Sequence, residues 1–377
     1  MRFGPPRQPS ALRDSVQPQF FVASSIPLPP GRQEQNPQVD YCRADLAEFS
    51  ATTADLASKS IDHKQERDAA GQEHDFQSMA APFIIPGGID QPALLFFGGL
   101  GGTGFPWRET AELLHREWGN RAEVHSLAGH DGTFESLSKV GFQDWVADIL
   151  DNAERLAAGG KKIIFFGFST SALAVLEAVS QRPELFGALV LVGTPMRIRN
   201  GLHSSLLRLV EKLDRIIPSL NRLTQKIHVR LGSKTEGDGY TEAYLKSPRF
   251  DRIPLSALVS LMRLQNRAHK SLENIECPVL LIQGSEDQYI KQKTSEKLFA
   301  RLSSLDKELV LFEGAPHPVM LGKDPSSFQK RIAIWLKDLE KAGKLDLSGP
   351  SVEDVKQPIS FLSRCIRWIR GSGGVAA

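Results

Sequence analysis

Ser169, Asp287 and His317 occur in the chain order that can turn a serine hydroxyl into a nucleophile. A serine attacks a carbonyl only when a base takes its proton and a third group orients that base. Ser169 lies in Gly167-Phe168-Ser169-Thr170-Ser171, after the apolar run Ile163-Ile164-Phe165-Phe166 and before Ala172-Leu173-Ala174-Val175-Leu176. This reads as a buried strand, a sharp turn and a helix, the setting of a G-x-S-x-G nucleophile elbow. Glycine two residues before the serine relieves crowding in a strained turn. Ser171 stands where a second glycine is usual, and it is small enough for the turn. The acid is expected after the strand at 279–282. In Gly284-Ser285-Glu286-Asp287 the spacing to Gly284 favours Asp287, with Glu286 the competing carboxylate. Taken alone, Asp287 also reads as an N-cap for a helix over 290–302. His317 follows the strand at 309–312 and is the sole histidine C-terminal to Asp287.

An acyl-transfer site also needs two N–H donors aimed at the developing alkoxide. Thr170, directly after the nucleophile, is expected to supply one. The loop after the first core strand, Gly98-Gly99-Leu100-Gly101-Gly102-Thr103-Gly104, is expected to supply the other through Leu100. The competing reading of this glycine-rich turn is a phosphate cradle, but neither G-x-G-x-x-G nor G-x-x-x-x-G-K-[ST] is present. Among the other histidines, His125 and His130 flank a loop after a strand and could line a pocket. His63, His74, His115, His203, His228 and His269 read as surface or core-edge residues.

Apolar runs predict strands over 93–97, 122–125, 162–166, 189–192, 279–282 and 309–312. Near-continuous apolar runs suit parallel strands covered on both faces. Helices are predicted over 107–119, 142–157, 171–181, 290–302 and 325–341. The alternation implies a doubly wound, mostly parallel α/β sheet. Residues 196–275 break it, reading as helices with no clear strand, and are expected to form a helical lid over the carboxyl ends of the strands. Leu206, Leu207, Leu209, Val210, Leu213, Leu258 and Met262 are candidates for its apolar wall, although stripes of this kind more often simply pack a lid on the core.

Residues 1–78, rich in Pro, Gln, Ser and Arg and then in polar residues and alanine, lack apolar periodicity. They read as a mostly disordered extension with a loose helix near 43–58. Met79 is an alternative translation start, and the folded domain is expected over 79–342. The tail, 343–377, carries a basic amphipathic segment at 358–370, with Arg364, Arg367 and Arg370 opposite Ile359, Phe361, Leu362, Cys365, Ile366, Trp368 and Ile369. It is a candidate for docking on the body, self-association or peripheral membrane contact. A net charge of +2 gives no case for nucleic-acid binding. Three widely spaced cysteines form neither a disulfide framework nor a C-x-x-C metal motif, so no metal site is expected from them and the cytoplasm is the expected compartment. No apolar run approaches a membrane span.

The motifs in order give residues 82–341 a resemblance to the α/β-hydrolase superfamily, and within it to bacterial carboxylesterases and monoacylglycerol lipases. Those motifs are the apolar strand leading to Gly98-Gly99-Leu100, the Gly129-His130-Asp131-Gly132 loop, Asp144-Trp145, the elbow, Val192-Gly193-Thr194-Pro195, Arg252-Ile253-Pro254, Gly284-Ser285-Glu286-Asp287 and His317. The resemblance implies hydrolysis of a small-molecule carboxylic ester by a Ser169–His317–Asp287 triad through an acyl-enzyme, without a cofactor. Alternatives on the same fold are a thioesterase, an amidase or a carbon–carbon bond hydrolase; a non-catalytic binding module is a further one. Three departures stand out: Gly98 replaces the usual histidine, Ser171 the elbow's second glycine, and Pro316 the glycine before the histidine.

Overall fold

The computed structural model describes residues 21–22, 78–88, 91–197, 201–230 and 249–349. In chain order the strands are β1 (Phe21–Val22), β2 (Phe83–Ile85), β3 (Leu94–Phe97), β4 (Ala122–His125), β5 (Ile163–Phe168), β6 (Phe186–Val192), β7 (His228–Arg230), β8 (Arg252–Pro254), β9 (Val279–Gly284) and β10 (Lys307–Phe312). The helices are α1 (Arg108–Trp118), α2 (Phe134–Lys139), α3 (Phe142–Ala157), α4 (Thr170–Gln181), α5 (Gly201–Ile216), α6 (Pro218–Lys226), α7 (Leu255–Ser271), α8 (Gln292–Arg301) and α9 (Pro325–Lys341). The main sheet runs β1-β10-β9-β6-β5-β3-β4-β2. Its six inner strands are parallel, and β1 and β2 pair antiparallel at the two edges.

Strand β3 shows why the apolar runs form this sheet. All four of its residues are buried, and successive side chains point to opposite faces. Leu95 and Phe97 join the core under α3, α4 and α7, whereas Leu94 and Phe96 join the core under α1 and α9. On the second face Phe96 stacks on Phe166 at 4.1 Å, and Trp107 lies 6.0 Å from Phe328. Two apolar layers thus clamp the sheet, and the loops at the carboxyl ends of its strands are left to carry chemistry.

The segment between β6 and β9 differs from its sequence reading. Helices α5, α6 and α7 are present, but β7 and β8 form an antiparallel ribbon pairing His228 with Pro254 and Arg230 with Arg252. Three-residue strands carry too little periodicity to register in sequence. Leu209 and Leu213 point outward, at 52% and 39% exposure, and do not line an inner wall. The edge pairs β1 and β2 and the short helix α2 are likewise additions. Phe21 pairs with Leu311 and Val22 with Val310. Past α9 the chain turns back along the sheet, where Leu347 O accepts the Lys162 N–H at 3.0 Å and Gly160 O accepts the Gly349 N–H at 3.0 Å. The helix expected near 43–58 and the amphipathic segment at 358–370 lie outside the described residues.

Candidate active site

The end of β5 turns sharply into α4, and Ser169 occupies the corner with φ 55° and ψ −114°. It is the one non-glycine with positive φ among the described residues. An L-residue held there is strained by about 1–3 kcal/mol, so the surroundings must fix it. Ser169 N–H donates to Val192 O at 2.8 Å, tying the corner to the end of β6. Gly167 leaves no room for a side chain, since a Cβ would lie 2.7 Å from the backbone of Ala172. Ser171 is fully buried; its hydroxyl accepts the Phe168 N–H at 2.9 Å and donates to Phe97 O at 2.9 Å. The serine that replaces the usual glycine therefore staples the elbow to the end of β3.

Asp287 and His317 are joined directly. His317 Nδ1 lies 2.6 Å from Asp287 Oδ2, and both side chains are buried. Asp287 Oδ1 accepts the N–H groups of Tyr289 (2.8 Å) and Ile290 (2.9 Å), while Gln283 Nε2 donates to Oδ2 at 2.9 Å. Gln283 is itself fixed by Ser295 Oγ at 2.7 Å. Burial pushes the Asp287 carboxyl up, but the His317 ring and the two backbone donors outweigh it and hold the group below the usual carboxylate range. Glu286 is exposed, and no side-chain hydrogen bond between it and His317 is present among the described residues. The imidazole packs against the elbow, with its ring 4.9 Å from that of Phe168 and 5.2 Å from that of Tyr289. A Cβ on Gly193, directly after Val192, would lie 2.8 Å from His317 Cε1. Among the described residues no hydrogen bond joins Ser169 Oγ to His317, and the two meet through Phe168 and Gly193. Such bonds are often loose without substrate.

The glycine-rich loop closes over the elbow. A Cβ on Gly99 would lie 3.0 Å from Ser169 Cβ, so any side chain there would press on the elbow. A Cβ on Gly98 would lie 2.2 Å from Thr103 O, which explains why no histidine occupies that position. Gly102 N–H donates to Gly99 O at 3.3 Å, forming a turn with Leu100 and Gly101 at its centre; Gly101 has φ 77°. Thr170 begins α4, where the first N–H groups have no partner within the helix.

Sequence reasoning did not find what holds this loop. Gly101 N–H donates to His130 Nε2 at 3.0 Å, and Gly101 O accepts Phe250 N–H at 2.7 Å. The His130 ring is 1% exposed, and Nδ1 lies 3.1 Å from the carbonyls of both Leu127 and Ala128. Burial drives its pKa down to about 4 despite those carbonyls, so the ring is neutral and Nε2 is an acceptor. The glycines flagged this loop, but only the fold brings His130 to it. His125 instead donates its Nε2–H to the buried Glu123 carboxylate at 3.0 Å, away from the triad. His228 stacks on Phe134 and His269 contacts Arg301. Among the described residues no group of three or more His, Cys, Asp or Glu side chains could hold a metal ion.

Residues 128–324 match the family model described as serine aminopeptidase, S33. A thermostable monoacylglycerol lipase of Bacillus sp. (strain H-257) is 23% identical over 270 residues, covering 71% of this chain and 98% of the lipase. A carboxylesterase of Bacillus subtilis (strain 168) is 23% identical over 69% of this chain and 97% of its own. Among solved structures, one of the metagenome-derived lipolytic enzymes LipS and LipT superposes with a TM-score of 0.57 at 23% identity, covering 69% of this chain and 98% of that one. The monoacylglycerol lipase of Paleococcus ferrophilus gives 0.55 at 22%, over 68% and 97%. At such identities the superpositions speak to the fold, an α/β-hydrolase sheet with its flanking helices.

Proposed function

The chain belongs to the serine aminopeptidase, S33, family of α/β-hydrolases, and from that premise we propose that it hydrolyses small-molecule carboxylic esters through Ser169, His317 and Asp287. The observation that carries the reading is a strained serine elbow packed against a buried, hydrogen-bonded carboxylate–imidazole pair. Ester chemistry is favoured by the names of the lipase and carboxylesterase relatives.

In this mechanism His317 Nε2 takes the Ser169 proton as Oγ attacks the ester carbonyl. Asp287 keeps the Nδ1 proton in place and stabilises the imidazolium. The N–H groups of Leu100 and Thr170 receive the oxyanion, aided by the N-terminus of α4. His317 then protonates the leaving alcohol, and water activated by the same base releases the acyl group. The segment from α5 to α7 is assigned the role of lid over this site.

The test is hydrolysis of a p-nitrophenyl ester panel by the wild type and Ser169→Ala. Activity lost in the variant, with its fold retained, supports the assignment. Equal activity of the two proteins, or inertness of both across the panel, sinks it. The family description names an aminopeptidase, so amino-acid and peptide amides form the competing arm; faster cleavage of amides than of matched esters would transfer the assignment to an amidase.

A further inference from the structure

Large apolar side chains are exposed unevenly. Leu209, Leu213, Ile216, Ile217, Leu223 and Ile227 are six of the nine such residues exposed among the described residues, and all fall within nineteen positions on or beside α5 and α6. Ile216, at 76%, lies almost wholly in solvent. Leu209, Leu213 and Ile216 recur at helical spacing and form one outward stripe, and Leu223 and Ile227 repeat it across the turn. Contiguous apolar surface of this kind marks a contact site.

The charges around the stripe have one sign. Between 207 and 230 every described exposed ionisable side chain is basic: Arg208, Lys212, Arg222, Lys226, Arg230 and His228. The two acids of the segment, Glu211 and Asp214, are buried and turned toward α7. Arg263 reaches Asp214 Oδ2 at 2.7 Å and Glu211 Oε1 at 3.5 Å. Folding thus hides the negative charge of α5 and α6 and leaves their positive charge outside.

We propose that the outer face of α5 and α6 docks on an anionic lipid surface. Apolar stripes flanked by Lys and Arg are what an in-plane interfacial helix needs: the aliphatic groups enter the acyl boundary while the cations meet headgroup phosphates. No described helix is long and apolar enough to cross a membrane, and the proposed contact, lying in the plane of the surface, needs none. A second copy is the poorer occupant, because a two-fold contact through this face would set the same cations against one another. The proposal does not depend on the hydrolase reading. Helix α7 carries both Arg263, which holds α5, and Arg267, which pairs with Glu177 of α4 at 2.6 Å, so α7 links the docking face to the helix that begins at the candidate nucleophile.

The test is co-sedimentation of the full chain with vesicles of phosphatidylcholine alone and of phosphatidylcholine mixed with phosphatidylglycerol. The wild type should pellet with the anionic vesicles, less so as salt rises, and remain in solution with the neutral ones. Each basic residue at an anionic surface is worth about fivefold in partitioning, so Arg222→Glu/Lys226→Glu should weaken it by at least about 25-fold. Leu213→Ser/Ile216→Ser should also weaken it with an unchanged unfolding temperature, since neither side chain is buried. Three outcomes overturn the proposal. One is no pelleting of the wild type. Another is wild-type binding by both α5–α6 variants, with loss confined to Arg364→Glu/Arg367→Glu in the tail. The third is lipid-free self-association, seen by sedimentation velocity, that the α5–α6 substitutions abolish.

Discussion

Replacing His130 with alanine tests how the glycine loop is held. The substitution removes the acceptor of Gly101 N–H and the donor to the carbonyls of Leu127 and Ala128. A buried N–H left unpaired costs about 1–3 kcal/mol. The void left where the ring packs edge-on to Trp145 and Phe250, at 6.5 and 6.3 Å, brings the expected destabilisation to about 3–4 kcal/mol. Loss of one oxyanion donor costs roughly 100- to 1,000-fold in kcat. Freeing Gly101 only loosens its neighbour Leu100, so kcat should fall by roughly 10- to 100-fold with little change in KM. His130→Gln offers an amide oxygen to Gly101 and an N–H to Leu127, and should recover most of both losses. The assay is saturation kinetics on a p-nitrophenyl ester at a temperature below every variant's transition, with thermal unfolding alongside. A pH arm sharpens it. The folded pKa near 4 lies below the ordinary histidine value, so the unfolded chain binds more protons between about 4 and 6.5. This group's contribution is complete above about 6.5 and is lost as pH falls toward 4, amounting to roughly 3 kcal/mol; His130→Gln should flatten that slope. An alanine variant with kcat within twofold of the wild type would refute the reasoning.

Other positions give further tests. Asp148 is buried enough that its pKa is pushed up to about 6 against the Ala128 N–H and Asn152. Its charged form therefore costs stability above the unfolded value, and Asp148→Asn should raise the unfolding free energy by up to roughly 3 kcal/mol at pH 8 but hardly at all at pH 3; denaturant melts at the two pH values decide. Gly193→Ala places a methyl 2.8 Å from His317 Cε1 at a backbone φ of 57°, so it should cut kcat at least about 100-fold and remove the low-field Nδ1 proton resonance of a His317–Asp287 pair, while far-UV circular dichroism stays unchanged. Gln283→Ala strips a donor from Asp287 and an acceptor from Ser295; the depressed Asp287 pKa should rise, and a stability loss of about 1–3 kcal/mol at neutral pH should shrink as pH falls through the carboxylate range, because the protonated carboxyl no longer needs the donor.

Much of the fold was legible because buried parallel strands leave continuous apolar runs. The helix at 142–157 and the strand at 122–125 fall where periodicity puts them. Asp287 was distinguishable from Glu286 by its spacing to Gly284, and the fold carries that choice to a hydrogen bond with His317. Short elements were not legible: Phe21–Val22, Phe83–Ile85 and the β7–β8 ribbon are set by partners distant in sequence. Two substitutions that looked like departures have local causes. Ser171 bonds across 74 positions to Phe97 O, and Gly98 is pressed against Thr103 O. The outward stripe on α5 and α6 has the same 3.6-residue signature as a core-facing one, so only burial tells the two apart.

In the proposed mechanism Ser169 is an activated nucleophile. The most direct test of that role is intact-mass spectrometry of the full chain after exposure to a fluorophosphonate, with the adduct mapped by peptide sequencing. A single adduct on Ser169, absent in Ser169→Ala and strongly slowed in His317→Ala, is the predicted result. An unlabelled wild type, or an adduct on another residue at the same rate in all three proteins, would contradict it.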